Sequence, residues 1–296
     1  MRIFLTGASG FIGSHIIAEL IASGHQVLGL VRSEASAAKV AALGAEIHHG
    51  GIDDLDSLRA GAAACDAVIH TAFDHDFAHF ADSCARDHKA ILALGEALVG
   101  SDRPLLITSA VGVGKPGPGE KANEDMFDPN YPNPRIASEL AGRELLDRGV
   151  KVLVMRLSQI HDRRSQGLIT PLIDLAVEKG VVAYVGDGAV DWCACPVDDT
   201  ARLYRLAIEK GVAGGRYHAV AEEAVSLRAI AETLAERLGL QAISIAPEDA
   251  ARHFGWLAHF VTLNMPASST LTRARLGWAP EGPGLLEDLA KLEGYA

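Results

Sequence analysis

The sequence predicts a doubly wound α/β protein: a parallel sheet covered by helices on both faces, followed by a smaller C-terminal region. Three observations predict it. Short apolar runs alternate with longer helical patterns through the first half of the chain, as in parallel strands joined by right-handed crossovers. The strands are continuous apolar runs, which is typical of a sheet buried on both faces. A glycine-rich turn joins the first strand to the first helix.

The elements of the first half follow one another at a regular spacing. The apolar runs predict strands over residues 3–6, 26–31, 45–48, 66–69, 104–108 and 150–157. The helical patterns between them cover residues 11–23, 34–43, 55–63, 80–99 and 134–148. Gly24, Gly44 and Gly100 end three of these helices, because glycine adopts the left-handed conformation that commonly follows a helix.

The second half has a different pattern. Helices are predicted over residues 168–179, 198–210 and 226–238, and a last strand over 216–220. Loops and short strands fill residues 184–195, and the tail mixes short helices with Pro and Gly turns. We therefore expect a nucleotide-binding domain over residues 1–157, to which 197–220 returns, and a substrate-binding region over 158–196 and 221–296.

Composition excludes several classes of protein. The chain has 296 residues, is 49% hydrophobic and carries a net charge of −11. That is enough apolar sequence for a sizeable core. A net negative charge repels nucleic acid and anionic lipid, so neither is an expected partner. No apolar run approaches the length of about 18 residues that a membrane span needs, and the N-terminus lacks the zones of a secretory signal. A cytoplasmic protein is expected. The four cysteines form no Cys-x-x-Cys pair, so no metal is expected.

The glycine-rich turn is the clearest functional motif. Gly7, Gly10 and Gly13 form G-x-x-G-x-x-G between a strand and a helix. In this context glycines make the tight turn, let a diphosphate approach the backbone, and let the helix pack closely on the strand. The helix N-terminus then faces the anion with its free N–H groups. The motif predicts a dinucleotide site, with contacts from Ser9, Phe11 and Ile12 in the same turn.

The end of the second strand predicts which dinucleotide binds. An acidic residue at this point would hold the ribose 2′-hydroxyl of NAD. The chain instead has Arg32 and Ser33. An arginine pairs with a 2′-phosphate, and a serine hydroxyl donates to it. NADP(H) is therefore favoured over NAD(H).

These residues, together with later motifs, resemble the extended short-chain dehydrogenase/reductases. The later motifs are His70-Thr71-Ala72, Thr108-Ser109-Ala110, Gly186-Asp187-Gly188 and Pro196-Val197-Asp198-Asp199. The resemblance implies a Rossmann sheet, a small C-terminal substrate domain, and hydride transfer between a nicotinamide and a carbinol or carbonyl carbon. It also implies cofactor contacts from Ile52, Thr71, Ala72 and Phe73.

The catalytic positions depart from the pattern of that family. Its set is a Ser or Thr, a Tyr, and a Lys one helical turn after the Tyr. Ser109 matches the first. Arg135 stands where Tyr is expected and Glu139 where Lys is expected. We expect Arg135 to act as a fixed cation near the substrate, and Glu139 to pair with it and meet the ribose. Because Arg135 and Glu139 are four residues apart, we expect both on one face of the helix, with Arg143.

A different residue must then supply the proton. The candidates are Tyr131 in the loop before the helix, Asp74 and His75 after the fourth strand, and His161 after the sixth. Histidine titrates near neutral pH, but none of these is selected by sequence.

Three functions stay open. The first is an NADP(H)-dependent oxidoreductase acting on a small carbonyl or alcohol substrate with a non-standard proton donor. The second is a redox sensor that binds the cofactor without turnover, and the third is a sugar-nucleotide epimerase or dehydratase. A homodimer is also expected, paired through the predicted helices 80–99 and 134–148 as the family resemblance implies.

Overall fold

The computed structural model describes residues 1–114 and 119–295. Its central sheet is parallel throughout, with strand order β10-β6-β5-β4-β1-β2-β3. The strands are β1 Arg2–Thr6, β2 Gln26–Val31, β3 Glu46–His49, β4 Ala67–His70, β5 Pro104–Ala110, β6 Lys151–Leu157 and β10 Arg216–Ala219. This sheet confirms the predicted fold class.

Helices cover both faces of this sheet. They are α1 Phe11–Ala22, α2 Glu34–Ala42, α3 Leu55–Ala63, α4 Phe80–Glu96, α5 Ile136–Asp147 and α7 Val197–Lys210. Alternate residues of β1 point to opposite faces. Ile3 and Leu5 join the core that α1 and α7 cover, whereas Phe4 joins the core under α3, α4 and α5.

Two glycines let α4 and α5 come close to their neighbours. A Cβ on Gly95 of α4 would lie 2.3 Å from Leu145 Cδ1 of α5. A Cβ on Gly142 of α5 would lie 2.8 Å from Ile107 Cδ1 of β5. Both distances are shorter than van der Waals contact. Glycine at these positions therefore sets the close spacing of α4, α5 and β5, which carry the candidate catalytic residues.

The rest of the chain forms smaller sheets and a core of its own. One sheet has the order β11-β9-β7 and another pairs β12 with β8. The strands are β7 Gln159–His161, β8 Val181–Val185, β9 Asp191–Pro196, β11 Glu222–Ser226 and β12 Gln241–Ile245. The helices are α6 Ile169–Lys179, α8 Leu227–Leu238, α9 Ala250–Phe254, α10 Ala258–Val261, α11 Thr270–Leu276 and α12 Leu285–Ala290. Except for β7 and α11, they enclose a third apolar core around Trp192, whereas Ile160 of β7 and Leu276 of α11 join the core that α1 and α7 cover.

The predicted elements of the first half are present, with shifted ends. The predicted helix 134–148 begins at Ile136, because Pro134 and Arg135 form the turn that precedes it. The predicted helix 80–99 ends at Glu96. None of the helices in the described part of the chain has the length and apolar character needed to cross a membrane.

Candidate active site

The glycine-rich turn, which forms the candidate dinucleotide cradle, has no room for side chains at Gly7 and Gly13. Gly7 has φ +70°, and a Cβ there would lie 2.6 Å from Thr71 Oγ1 and 2.8 Å from the Ala72 nitrogen. A Cβ on Gly13 would lie 2.1 Å from the Gly7 carbonyl oxygen. The loop after β4 therefore lies directly against the turn after β1. This is the geometry that a diphosphate needs to approach the backbone.

The N-terminus of α1 provides the positive end of the cradle. Gly10 caps the helix without a side-chain hydrogen bond, and the first turn carries no acidic residue. Ser9 is exposed, and Phe11 and Ile12 are half-buried beside it. Free N–H groups and the helix dipole favour an anion at this point. The residues present therefore fit the diphosphate of a dinucleotide.

The carboxyl end of β2 presents Arg32 beside the cradle. Arg32 Cδ lies 3.6 Å from the position that a Cβ on Gly51 would take. Ser33 is the N-cap of α2: its hydroxyl accepts from the Ser36 N–H at 3.3 Å and donates to Ser36 Oγ at 3.2 Å. The Ser33 hydroxyl, expected to donate to a cofactor phosphate, is thus already bonded within α2. Ile52 is half-buried against the core next to Gly51.

The loop after β4 is fixed to β1. The Thr71 hydroxyl donates to the Thr6 carbonyl at 2.8 Å, and the Ala72 N–H donates to Thr6 Oγ1 at 3.2 Å. Thr6 Oγ1 also lies 2.7 Å from His70 Nδ1. Thr71, Ala72 and the half-buried Phe73 therefore line the edge of the sheet next to the cradle.

Ser109 lies at the same edge. It continues the alternation of Leu105 and Ile107, whose side chains face α4 and α5. It is 3% exposed, and its hydroxyl has no hydrogen-bond partner among the described residues. A buried hydroxyl without a partner is uncommon, since the lost hydrogen bonds to water are not replaced.

Arg135 lies in the turn before α5 and is 9% exposed. Its Nη1 donates to Asp87 Oδ2 at 2.8 Å and to Ser138 Oγ, and its Nη2 donates to the Thr108 carbonyl at 2.8 Å. The guanidinium carbon lies 4.1 Å from the centre of the Phe73 ring. Arg135 thus stands at the position where the resemblance implies Tyr. Its guanidinium is held by these hydrogen bonds, and it fixes the backbone next to Ser109.

Asp87 connects this arginine to the cofactor edge. His70 Nε2 lies 3.0 Å from Asp87 Oδ1, so one carboxylate links β4, α4 and the turn before α5. Burial alone would raise the pKa of Asp87, but the charge of Arg135 and hydrogen bonds from His70 and Ser138 lower the pKa to about 2. The carboxylate is charged at neutral pH, and it balances the Arg135 cation.

Glu139 lies away from Arg135, and the expected pairing of the two is wrong. Arg156 Nε and Nη2 donate to the Glu139 carboxylate at 2.7 and 2.9 Å, and Arg216 Nε donates at 2.9 Å. Burial alone would raise the pKa of Glu139, but these two arginines lower it below its usual value. Its side chain is 0% exposed, so it is not placed to meet a ribose.

Arg135 and Glu139 do not pair because of the local backbone. Arg135 precedes the helix, so the four-residue spacing from Arg135 to Glu139 does not bring them together, and Arg143 on α5 is exposed. The arginines of β6 and β10 lie under Glu139 instead. Arg156 also donates to the carbonyls of Asn123 and Met126 and so holds the loop before α5.

That loop carries Tyr131. Tyr131 is half-buried, and its hydroxyl lies 3.9 Å from the position that a Cβ on Gly112 would take. Gly112 belongs to the helical turn Val111–Gly114, which directly follows β5 and Ser109. Burial raises the pKa of Tyr131, so the phenol is protonated at neutral pH. Tyr131, one of the candidate proton donors, therefore lies beside the turn that follows Ser109.

The other candidate donors have different surroundings. Asp74 is paired with Arg86. His75 is exposed and its ring meets the edge of Phe73, with centroids 5.3 Å apart. His161 is fully buried beside Asp288, 2.8 Å away, in the C-terminal region.

Aromatic rings join the sheet edge to the C-terminal region, and we call this junction the cleft. Phe77, in the loop after β4, stacks on Trp256 with centroids 4.6 Å apart and planes 13° apart. Phe260 meets Phe77 edge-on at 5.8 Å. Trp192 contributes no ring here, since it is fully buried and donates to the Leu263 carbonyl at 3.2 Å.

Sequence reasoning missed Asp87 and Phe77 as parts of this edge and named His70 only as part of the resemblance motif. A signal for Asp87 was present: it falls on the buried face of α4, one helical turn from Cys84 and Ile91. A carboxylate on an apolar face requires a buried partner. The aromatic contacts depend on how the C-terminal region folds back, which periodicity does not reveal. Within the described ranges 1–114 and 119–295, no cluster of three or more His, Cys, Asp or Glu side chains is arranged to hold a metal.

Comparison with known proteins agrees with this architecture. Residues 3–220 match the NAD dependent epimerase/dehydratase family. An uncharacterised protein of Schizosaccharomyces pombe is 44% identical over 98% of both chains. A 4-hydroxy-2-methyl-3-oxo-4-farnesyl-3,4-dihydroquinoline-1-oxide ketoreductase of Stigmatella aurantiaca is 30% identical, covering 90% of this chain and 84% of its own. The dTDP-glucose 4,6-dehydratase DesIV of Streptomyces venezuelae, solved with NAD, is similar in fold, with a TM-score of 0.79 and 21% identity over 98% and 95% of the two chains.

The chain therefore belongs to the NAD dependent epimerase/dehydratase family. This confirms the resemblance to the extended short-chain dehydrogenase/reductases.

Proposed function

We propose that the protein is an NADP(H)-dependent oxidoreductase that transfers hydride to or from a small carbonyl or alcohol, with a proton donor other than the usual Tyr–Lys pair. One observation carries the proposal: the Ser109 hydroxyl is buried, with no partner among the described residues, at the sheet edge that faces the dinucleotide cradle. A substrate oxygen is the partner that such a hydroxyl lacks. The ketoreductase relative supports carbonyl chemistry.

The choice of NADP(H) is supported by the end of β2. Arg32 stands where an acidic side chain would hold the ribose 2′-hydroxyl of NAD, and it lies against Gly51. A guanidinium can make two charge-assisted hydrogen bonds to a 2′-phosphate. Titration calorimetry with NADPH, NADP⁺, NADH and NAD⁺ tests this choice. Arg32→Ala should weaken NADPH binding by about tenfold or more and leave NADH binding unchanged.

In the mechanism we propose, the nicotinamide supplies or accepts the hydride, and residues of the chain do the rest. Ser109 donates a hydrogen bond to the substrate oxygen. Arg135 binds the Thr108 carbonyl and so orients the backbone that carries Ser109. In the reducing direction, Tyr131 gives its proton to the oxygen that hydride transfer leaves negatively charged, and solvent reprotonates Tyr131. Its raised pKa keeps that proton available at neutral pH.

Two variants test these roles. Tyr131→Phe should reduce kcat for carbonyl reduction by about 100-fold, in line with the usual contribution of a general acid, with NADPH affinity unchanged. Ser109→Ala should reduce kcat/KM and leave NADPH affinity unchanged. Tyr295→Phe is the matched control, because Tyr295 bonds Asp174 in the C-terminal region. Full activity in Tyr131→Phe would show that Tyr131 is not the proton donor.

A catalytically silent redox sensor is the second candidate. The observation that favours it is the commitment of Arg135 to Asp87, Ser138 and Thr108 at the position of the missing Tyr. A sensor would bind NADPH and NADP⁺ with sharply different affinities and turn over no carbonyl compound. Comparable binding of both redox states, with turnover that depends on Ser109, would exclude the sensor.

A further inference from the structure

The aromatic rings that span the cleft have no role in the steps above. We propose that Phe73, Phe77, Phe80, Trp256 and Phe260 form the substrate-recognition surface, and that the substrate is an apolar carbonyl compound with a planar aromatic or conjugated ring system. The carbonyl chemistry rests on the proposed function, whereas recognition of the ring does not.

The cluster has two sides that come from distant parts of the chain. Phe77 and Phe80 follow β4 and stack on each other with centroids 5.7 Å apart. Trp256 and Phe260 belong to the short helices of the C-terminal region and meet edge-on at 6.0 Å. The Phe77–Trp256 stack joins the two sides at 4.6 Å. A planar ligand can extend such a stack, because aromatic faces attract one another in offset or parallel arrangements.

The inner end of the cluster reaches the catalytic edge. The Phe73 ring lies 6.1 Å from Phe80 and carries the Arg135 guanidinium on its face at 4.1 Å. Arg135 in turn binds the Thr108 carbonyl, next to Ser109. Aromatic surface is therefore continuous from Trp256 to the residue that precedes α5. A ring bound along this surface would direct a carbonyl substituent toward Ser109.

Exposure separates this cluster from the apolar core. Trp256 is 48% exposed, whereas Trp192 and Trp278 are 0% and 2% exposed. Phe73, Phe77, Phe80 and Phe260 are only partly buried. An exposed tryptophan in contact with partly buried rings forms a contiguous apolar patch, and such patches mark ligand or interaction sites. Its position over the cofactor edge favours a small ligand.

The charge pairing of the C-terminal region opposes a phosphorylated substrate. Three arginines of the C-terminal region are each paired with a carboxylate: Arg163 with Asp288 at 3.8 Å, Arg164 with Glu293 at 2.8 Å, and Arg252 with Asp249 at 2.7 Å. The loop that carries Phe77 adds Asp74 and Asp76. A nucleoside diphosphate would have to displace these carboxylates, whereas an uncharged aromatic carbonyl would not.

A binding experiment tests the surface without any turnover. The probe is 2-naphthamide, an uncharged ring compound that is not reduced by hydride transfer under assay conditions, titrated by calorimetry into the full chain with NADPH present. Phe77→Leu and Trp256→Leu should each raise the Kd of the probe about tenfold. Val212→Ala, which trims an apolar residue that is 63% exposed elsewhere, should leave the Kd unchanged. Circular dichroism melting curves check that each variant is folded.

A kinetic experiment tests the same surface with substrates. The ratio of kcat/KM for 2-naphthaldehyde to that for propanal should fall about tenfold in Trp256→Leu and keep its original value in Val212→Ala. An unchanged ratio, equal naphthamide binding in all variants, or tight binding of UDP with no binding of naphthamide would each overturn the proposal. Naphthamide binding that depends on Phe77 and Trp256, without reduction of any aldehyde, would support the surface and contradict the proposed function instead.

Discussion

The two sides of the cofactor cleft differ in what builds them. On the β1 side the site is made of backbone: Gly7, Gly10 and Gly13 place N–H groups and leave room, and the loop after β4 closes against them. On the α5 side the site is made of side chains: Arg135, Asp87 and Ser138 bind one another in a buried cluster. The β1 side keeps the glycine pattern of the family. On the α5 side, other residues stand in the place of the family's Tyr and Lys.

The difference shows which part of such a fold tolerates exchange. A backbone cradle admits no side chain at Gly13, because any Cβ would overlap the Gly7 carbonyl. A side-chain cluster can be exchanged as a set if charge and hydrogen bonding are satisfied again. Here Arg135 is balanced by Asp87, and Glu139 by Arg156 and Arg216. The missing Tyr and Lys are thus replaced by two separate buried ion-pair clusters rather than by one catalytic pair.

The largest expected effect on cofactor binding comes from breaking the backbone side. Gly13→Ala places a Cβ 2.1 Å from the Gly7 carbonyl oxygen, so the turn must move. With one or two charged hydrogen bonds lost, NADPH binding should weaken by about 100-fold or more in calorimetric titration. Gly10→Ala is the graded comparison, since its Cβ would lie 3.2 Å from the same oxygen. Equal affinity in both variants would contradict the role assigned to the turn.

The next effect comes from the side-chain side. Glu139→Gln leaves the buried Arg156 and the partly buried Arg216 without their carboxylate and should lower the free energy of unfolding by about 3–5 kcal/mol, measured by urea denaturation. The folded fraction should bind NADPH as tightly as the original chain. Glu144→Gln on the exposed face of α5 is the control and should change stability little. A loss of NADPH affinity without loss of stability would mean that Glu139 contributes to cofactor binding.

The same contrast explains what sequence could predict. The sheet, its helices and the glycine turn follow from apolar periodicity and from glycines at fixed spacing, because local conformation and backbone geometry decide them. Ser109 was found because Thr108-Ser109-Ala110 matches the family motif that follows the fifth strand. The sequence did not reveal the partners of Arg135 and Glu139, because pairing depends on where α5 begins and on which strand lies beneath each residue. Asp87 and Arg156 are 48 residues and 17 residues from those partners, beyond any local pattern.

The smallest expected effect is a pH dependence of stability that belongs to the α5 side alone. His218 Nδ1 lies 2.8 Å from the Ser268 carbonyl, and Nε2 lies 3.4 Å from Arg156 Nη1. Burial and the Arg156 charge lower the pKa of His218 to about 3. An unfolded histidine has a pKa of about 6.5, so between these values only the unfolded chain binds the proton. Stability should therefore fall as pH falls from about 6.5 toward about 3.

His218→Asn keeps a donor toward Ser268 and removes the titrating ring. Urea denaturation at about pH 7, 6 and 5 should show a shallower loss of unfolding free energy in this variant than in the original chain. His49→Asn, which changes an exposed histidine at the end of β3, should keep the original slope. Asp87 has a depressed pKa of about 2, so its stabilisation is lost only below the unfolded carboxyl pKa of about 4. Of these two groups, His218 alone therefore acts between about pH 6.5 and 4, and the two windows overlap only between about pH 4 and 3. An unchanged slope in His218→Asn would mean that the arginine cluster under α5 does not exclude the proton, and that this side of the cleft is more solvated than its burial implies.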